Sequence, residues 1–176
     1  MDGRNRTRER DHYEAIVAAQ RAERERSYTG HVVVRGRDLP WIQGRQGVSR
    51  TYLSPSRYMR EPVETAIDGW ICFVQEVRLH SGKHRHQGGL VIYIIAGKGH
   101  TVCDGARLDW EAGDLLLLPI KRGGVEHQHF NADPEVPVKW IAFINTAIYD
   151  WGASEMVQLE AHPEFRGFGP RRRARR

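Results

Sequence analysis

The side chains best placed to do chemistry are two histidines separated by one residue, His84 and His86, and a third about forty positions later, His127. On an extended segment, side chains at i and i+2 project to the same face, so both imidazoles of the first pair can offer a nitrogen to one point. A third imidazole from another strand would complete a facial set of three metal ligands and leave the remaining coordination positions open to water, substrate or oxygen. His127 is expected to be that third ligand. His129 can share its face and is expected either to donate a hydrogen bond beside the metal or to serve as an alternative ligand.

The surrounding spacing carries a family resemblance. His84-x-His86 followed by Gly97, then Gly113-x5-Pro119 followed by His127-x3-Asn131, resemble the two linked motifs of the cupin superfamily over roughly residues 70 to 145. The resemblance implies an all-β fold, the double-stranded β-helix or jelly roll, with the metal inside the barrel. Two departures matter. The first motif usually carries a Glu seven residues before its Gly, and this chain has Leu90 there. Leu90 is therefore expected on the barrel interior, in the place of the missing fourth ligand, and the site is expected to use three histidines and no carboxylate. The second departure lies between Pro119 and His127, where Lys121-Arg122-Gly123-Gly124 lengthens the approach to the third ligand.

Loss of the Glu narrows the resemblance to gentisate 1,2-dioxygenase and its salicylate and hydroxynaphthoate relatives, which are similar in holding Fe(II) with three histidines. Those enzymes usually carry two cupin domains; this chain has room for one. The resemblance implies an Fe(II)-dependent dioxygenase with O2 as co-substrate and a small-molecule substrate, a hydroxylated aromatic acid or phenol. The chemistry agrees: three neutral imidazoles leave the ion its full double charge, which favours a bidentate anionic substrate. The same ligands can hold Mn, Ni, Cu or Zn. A metal-dependent lyase, isomerase or cyclase, and a non-catalytic small-ligand-binding cupin, are the competing readings.

No general acid or base stands out, so the catalytic residues are left unassigned. For substrate contact the candidates are Arg78, Leu90, His129 and Phe130, with Arg57 and Arg60 as further anion-recognising groups. The alternative for Arg78 is an ion pair with Glu76, and for Phe130 a place in the core. His80 reads as a rim or core residue; His12, His31, His100 and His162 read as surface residues. Tyr93 falls out of phase with the ligand face, and Arg85 alternates away from it.

The elements that must position these residues follow from periodicity. Helical spacing of Tyr13, Ile16 and Val17 among alanines predicts a helix over 11–26 with Asp11 and Glu14 as a capping pair and a narrow apolar stripe that must pack on something. Strands are expected at Val32–Val34, Arg50–Leu53, Gly69–His80, the histidine segment, Val91–Ala96, Asp114–Pro119 and Val138–Asn145, with turns at Gly97 and Asp104-Gly105. Val91–Ala96, an unbroken apolar run, is expected to be covered on both faces. The domain plan is a charged segment with the helix over 1–27, the barrel over 28–160, and a basic tail over 161–176.

Composition excludes several classes. The net charge of +5 equals the contribution of Arg171, Arg172, Arg173, Arg175 and Arg176; without them 22 basic residues face 22 acidic ones, so no basic face for nucleic acid is expected. No apolar run reaches the ~18 residues of a membrane span, and the polar N-terminus predicts a cytoplasmic protein. Two cysteines, Cys72 and Cys103, read as buried thiols. Exposed sheet edges and the striped helix together predict a homodimer.

Overall fold

The computed structural model describes residues 12–55 and 64–167. Arg57, Arg60, the capping residue Asp11 and the terminal arginines lie outside the described residues. Helix α1 (His12–Thr29) leads through a 3-10 turn at Gly36–Asp38 into strands β1 (Ile42–Gln43), β2 (Val48–Leu53), β3 (Trp70–Val77), β4 (Lys83–His86), β5 (Leu90–Ala96), β6 (Lys98–Cys103), β7 (Ala106–Glu111), β8 (Leu115–Leu118), β9 (Val125–Asn131) and β10 (Val138–Asn145). Helix α2 (Thr146–Trp151) and β11 (Val157–Glu160) follow.

The strands form two antiparallel sheets, one in the order β1-β2-β3-β10-β5-β8 and one in the order β11-β4-β9-β6-β7. They face each other as a jelly roll. Inward side chains of the first sheet, among them Leu90, Ile92, Ile94, Trp140, Ala142 and Ile144, fill the space between them with Val125 and Trp110 of the second. The second sheet is where the histidines lie. Its β6–β7 hairpin is closed by Asp104 and Gly105, both at positive φ (47° and 85°), the geometry of the two-residue Asp-Gly turn that matches strand twist.

Three local expectations need correction. Val32–Val34 forms no strand: β-branched residues favour a sheet only where an edge is offered, and here the sole pairing nearby is an isolated bridge between His31 and Thr65. β5 is covered on one face only, with Leu90, Ile92 and Ile94 buried and Val91, Tyr93 and Ile95 exposed. The strand is antiparallel to both neighbours, β10 and β8, and no crossover helix roofs it, so its apolar run marks an open apolar face. Residues 161–167, placed with the basic tail by composition, fold back: His162 N–H donates to the Arg45 carbonyl at 2.9 Å, and His162 is buried. The surface placement expected for His162 therefore fails.

Helix α1 runs three residues further than expected and buries none of its side chains. Arg26 joins it to the barrel by donating to the Thr65 carbonyl at 2.7 Å. Among the described residues no helix is long and apolar enough to cross a membrane.

Candidate metal centre

Alternation on β4 turns His84 and His86 inward, both buried, and leaves Arg85 outside. β4 pairs with β9 in a register that sets His84 directly opposite His127. Cross-strand partners are the nearest side chains on a sheet face, and the rings of His84 and His127 lie 4.2 Å apart centre to centre. His86 completes the triangle at 5.0 Å from His84 and 4.9 Å from His127. One ring nitrogen from each lies within 4.8 Å of the other two.

Hydrogen bonding decides which nitrogens are free. Nδ1 of His84 faces the Gly82 carbonyl at 3.3 Å, Nδ1 of His86 the Gln87 carbonyl at 2.6 Å, and Nδ1 of His127 the Val125 carbonyl at 3.4 Å. A carbonyl only accepts, so in each neutral ring the proton sits on Nδ1 and the lone pair on Nε2. Burial is the main force lowering the pKa of all three: His84 to about 4, His86 in the same direction and His127 well below its ordinary value. Neutral imidazoles with carbonyl-anchored Nδ1–H groups are the form metal ligation requires. The set fits a divalent ion that accepts nitrogen ligands.

His129 has the opposite arrangement. Its cross-strand partner on β6 is Thr101, whose Oγ1 lies 2.7 Å from His129 Nδ1. Trp110, on β7, donates Nε1–H to the same Oγ1 at 2.9 Å. Thr101 is fully buried, its Oγ1 accepts from the indole, and among the described residues His129 Nδ1 is the one acceptor in reach of its own proton, which assigns the His129 ring proton to Nε2. Burial pushes its pKa down to about 3, so the ring is neutral. His129 thus presents an N–H donor where the other three present lone pairs, which makes it a hydrogen-bonding neighbour of the centre and not a ligand. Thr101→Val should leave metal content unchanged and cost about 1–3 kcal/mol by orphaning the buried Trp110 N–H; metal content that falls with the substitution would contradict the place given to His129 outside the ligand set.

The histidines open into a cavity of about 270 Å³ whose walls include Ile71, Phe73, Leu90, Ile92, Ile144 and Met156. Leu90 is there as expected, but it faces the histidines from the opposite sheet, because Gln87–Gly89 carries the chain from one sheet to the other. Arg78 and Phe130 are not brought to the cavity. Arg78 follows the end of β3, is exposed, and sits 3.9 Å from Glu76. Phe130 has the opposite parity to His127 and His129, so it points away and stacks on His100, ring centres 4.7 Å apart and planes 4° from parallel.

Sequence reasoning missed several lining residues. Ser49 and Thr51 alternate inward on β2, and alternation could have found these; Gln75 on β3, a residue the sequence does offer as an inward candidate beside Arg78 and Glu76, lines the cavity and donates Nε2–H to the Gln46 carbonyl at 2.7 Å. Tyr149, on α2, lies 5.9 Å from the His86 ring, and Met156 follows the helix; no sequence pattern marks either. The lengthened loop before β9 closes as a turn in which Gly124 N–H donates to the Lys121 carbonyl at 3.0 Å. Gly124 packs so tightly on the His86 carbonyl that an added Cβ would come within 2.7 Å of it. Lys121 pairs with Asp104.

A two-sheet barrel with three inward histidines and a largely apolar interior defines a jelly roll with a candidate metal site. Residues 72–144 match the cupin domain family, the one whose two motifs the sequence resembles. No protein in the curated comparison set matches the sequence. Among solved structures, the polyketide cyclase RemF from Streptomyces resistomycificus superposes with a TM-score of 0.52 at 14% identity over 74% of this chain and 84% of that one. Salicylate 1,2-dioxygenase from Pseudoaminobacter salicylatoxidans, as its adduct with gentisate, gives 0.52 at 17% over 86% of this chain and 38% of that one. A point mutant of Streptomyces PAC13 with uridine gives 0.52 at 9%, over 74% and 94%. At these identities the likeness is one of fold.

Proposed function

We propose that the protein is an Fe(II)-dependent dioxygenase acting on a small bidentate substrate, a hydroxylated aromatic acid or phenol. The observation that carries this reading is the carboxylate-free set of three neutral imidazoles, with Leu90 where a fourth ligand would stand. His84, His86 and His127 would hold the ion through Nε2. When bound, the ion supplies Lewis acidity and, as Fe(II), redox chemistry with dioxygen. The chain's own residues do the rest. Apolar walls exclude water from the reacting face, His129 Nε2–H can orient a substrate oxygen, and the Thr101–Trp110 pair holds that ring in its tautomer.

The second reading is a metal-dependent cyclase, lyase or isomerase. It is supported by a histidine set that would hold a Lewis-acidic ion without requiring oxygen, and by the structural likeness to a polyketide cyclase. Oxygen uptake separates them. The chain is reconstituted anaerobically with Fe(II) and offered catechols, salicylates, gentisate and diketones. A dioxygenase consumes O2 and adds two oxygen atoms to the product mass. Turnover at the same rate without O2 would overturn the dioxygenase reading in favour of the second one, and ligand binding with no turnover under either condition would leave a binding module.

The reading includes a homodimer formed by a second copy of this chain. The outer face of β5 and β8 presents Val91, Tyr93, Ile95, Leu115 and Leu117, the two leucines each about three-fifths exposed, beside Phe143 of β10. Register makes the patch continuous, with Val91 between Leu117 and Phe143. A continuous apolar patch of this kind is of the sort that partners bury in a stable interface, to which each contributes ~800 Å². It carries no charge that a copy of itself would repel. Light scattering at tens of micromolar should give a dimer mass, and Leu117→Glu, at an exposed position, a monomer; a monomeric wild type would contradict the assignment.

A further inference from the structure

The cavity walls bear on what the substrate can carry. Among the described residues that line it there is no Lys, Arg, Asp or Glu. Charged groups on and near the histidine strand point elsewhere: Lys83 is paired with Glu126 at 2.6 Å, Arg85 is exposed on the outer face of β4, and Arg78, beyond the end of β3, lies with Glu76 on the outside. A second anionic group on a substrate, remote from the ion, would leave water for an apolar enclosure and find no countercharge.

The same walls carry neutral polar side chains, Ser49, Thr51, Gln75 and Tyr149, beside the histidines, suited to carbonyl, ether or hydroxyl oxygens. Size adds a bound. A dry apolar cavity of about 150 Å³ accommodates a benzene ring, so 270 Å³ suits about one to two fused rings.

From these observations we infer that the substrate's only charged atoms are the two oxygens that chelate the ion, on an otherwise uncharged phenolic or enolic ring system of one or two rings. This rests on the metal-site reading above. It admits an aromatic acid only where the carboxylate is itself one of the chelating pair.

The test uses matched probes. The full chain is loaded with zinc and its zinc content measured first. Two probes of equal size, 2,3-dihydroxynaphthalene bearing either a 6-carboxamide or a 6-carboxylate, are then titrated by calorimetry. The carboxamide is expected to bind at least tenfold more tightly. Equal or tighter binding of the carboxylate overturns the inference while leaving the metal site standing, as does failure of both probes to bind the zinc-loaded chain. A chain that takes up no zinc overturns the metal-site reading, and the inference falls with it.

Discussion

Alanine at His127 is expected to lower metal content from near one ion per chain to near none after gel filtration, and His86→Ala to do the same. The size of the effect follows from the geometry. His127 is placed by its register opposite His84, and its Nδ1–H is fixed on the Val125 carbonyl, so no other side chain can move into its position without breaking the β4–β9 ladder. His129, two residues on, cannot substitute, because Thr101 keeps its proton on Nε2. Loss of groups that merely orient ligands costs 10–100-fold in metal affinity; loss of one ligand in three should exceed ~100-fold. Near-stoichiometric metal in either variant, measured by elemental analysis, would contradict the assignment. Both histidines lie in a cavity rather than the apolar core, so circular dichroism should report a folded barrel in each.

The second large effect is expected at Leu90. It is 4% exposed and lines the cavity. Leu90→Glu places a carboxylate among Ile71, Ile92 and Ile144 with no cation among the described lining residues, so the metal-free variant should be destabilised by about 3–5 kcal/mol, as for a buried unpaired charge. Metal should restore much of that loss, because the new carboxylate meets the ion across the cavity, and binding to the folded state alone raises stability by mass action. The added negative ligand would also cancel part of the ion's charge, and turnover should fall at least tenfold. Thermal melts with and without metal, beside oxygen uptake, check both parts; wild-type stability, metal affinity and turnover together would mean that Leu90 does not face the centre.

The three-histidine cluster was legible in the sequence because strand alternation has a period of two: His84 and His86 must share a face, and Leu90 keeps the same inward parity even though it faces them from the opposite sheet. The turns were legible for an equally local reason, since Asp104-Gly105 suits a backbone that needs positive φ twice. What could not be read depended on register between strands. Nothing in the sequence says that Thr101 lies opposite His129, or that Trp110 reaches the same hydroxyl, and so the tautomer that separates His129 from the ligands was hidden. Arg78 was misplaced because β3 ends at Val77 and the side chain beyond it turns to solvent. Phe130 was misplaced because adjacency to a ligand was weighed above parity. The apolar run of β5 reads the same whether a second layer or a second molecule covers it, and only the sheet order distinguishes these.

X-ray absorption of the zinc-loaded protein tests the three-histidine, carboxylate-free centre most directly. The account predicts three imidazole nitrogens per ion at ~2.0–2.1 Å, with the remaining coordination supplied by solvent oxygen. A spectrum requiring four imidazoles, or two imidazoles and a protein carboxylate, would contradict it.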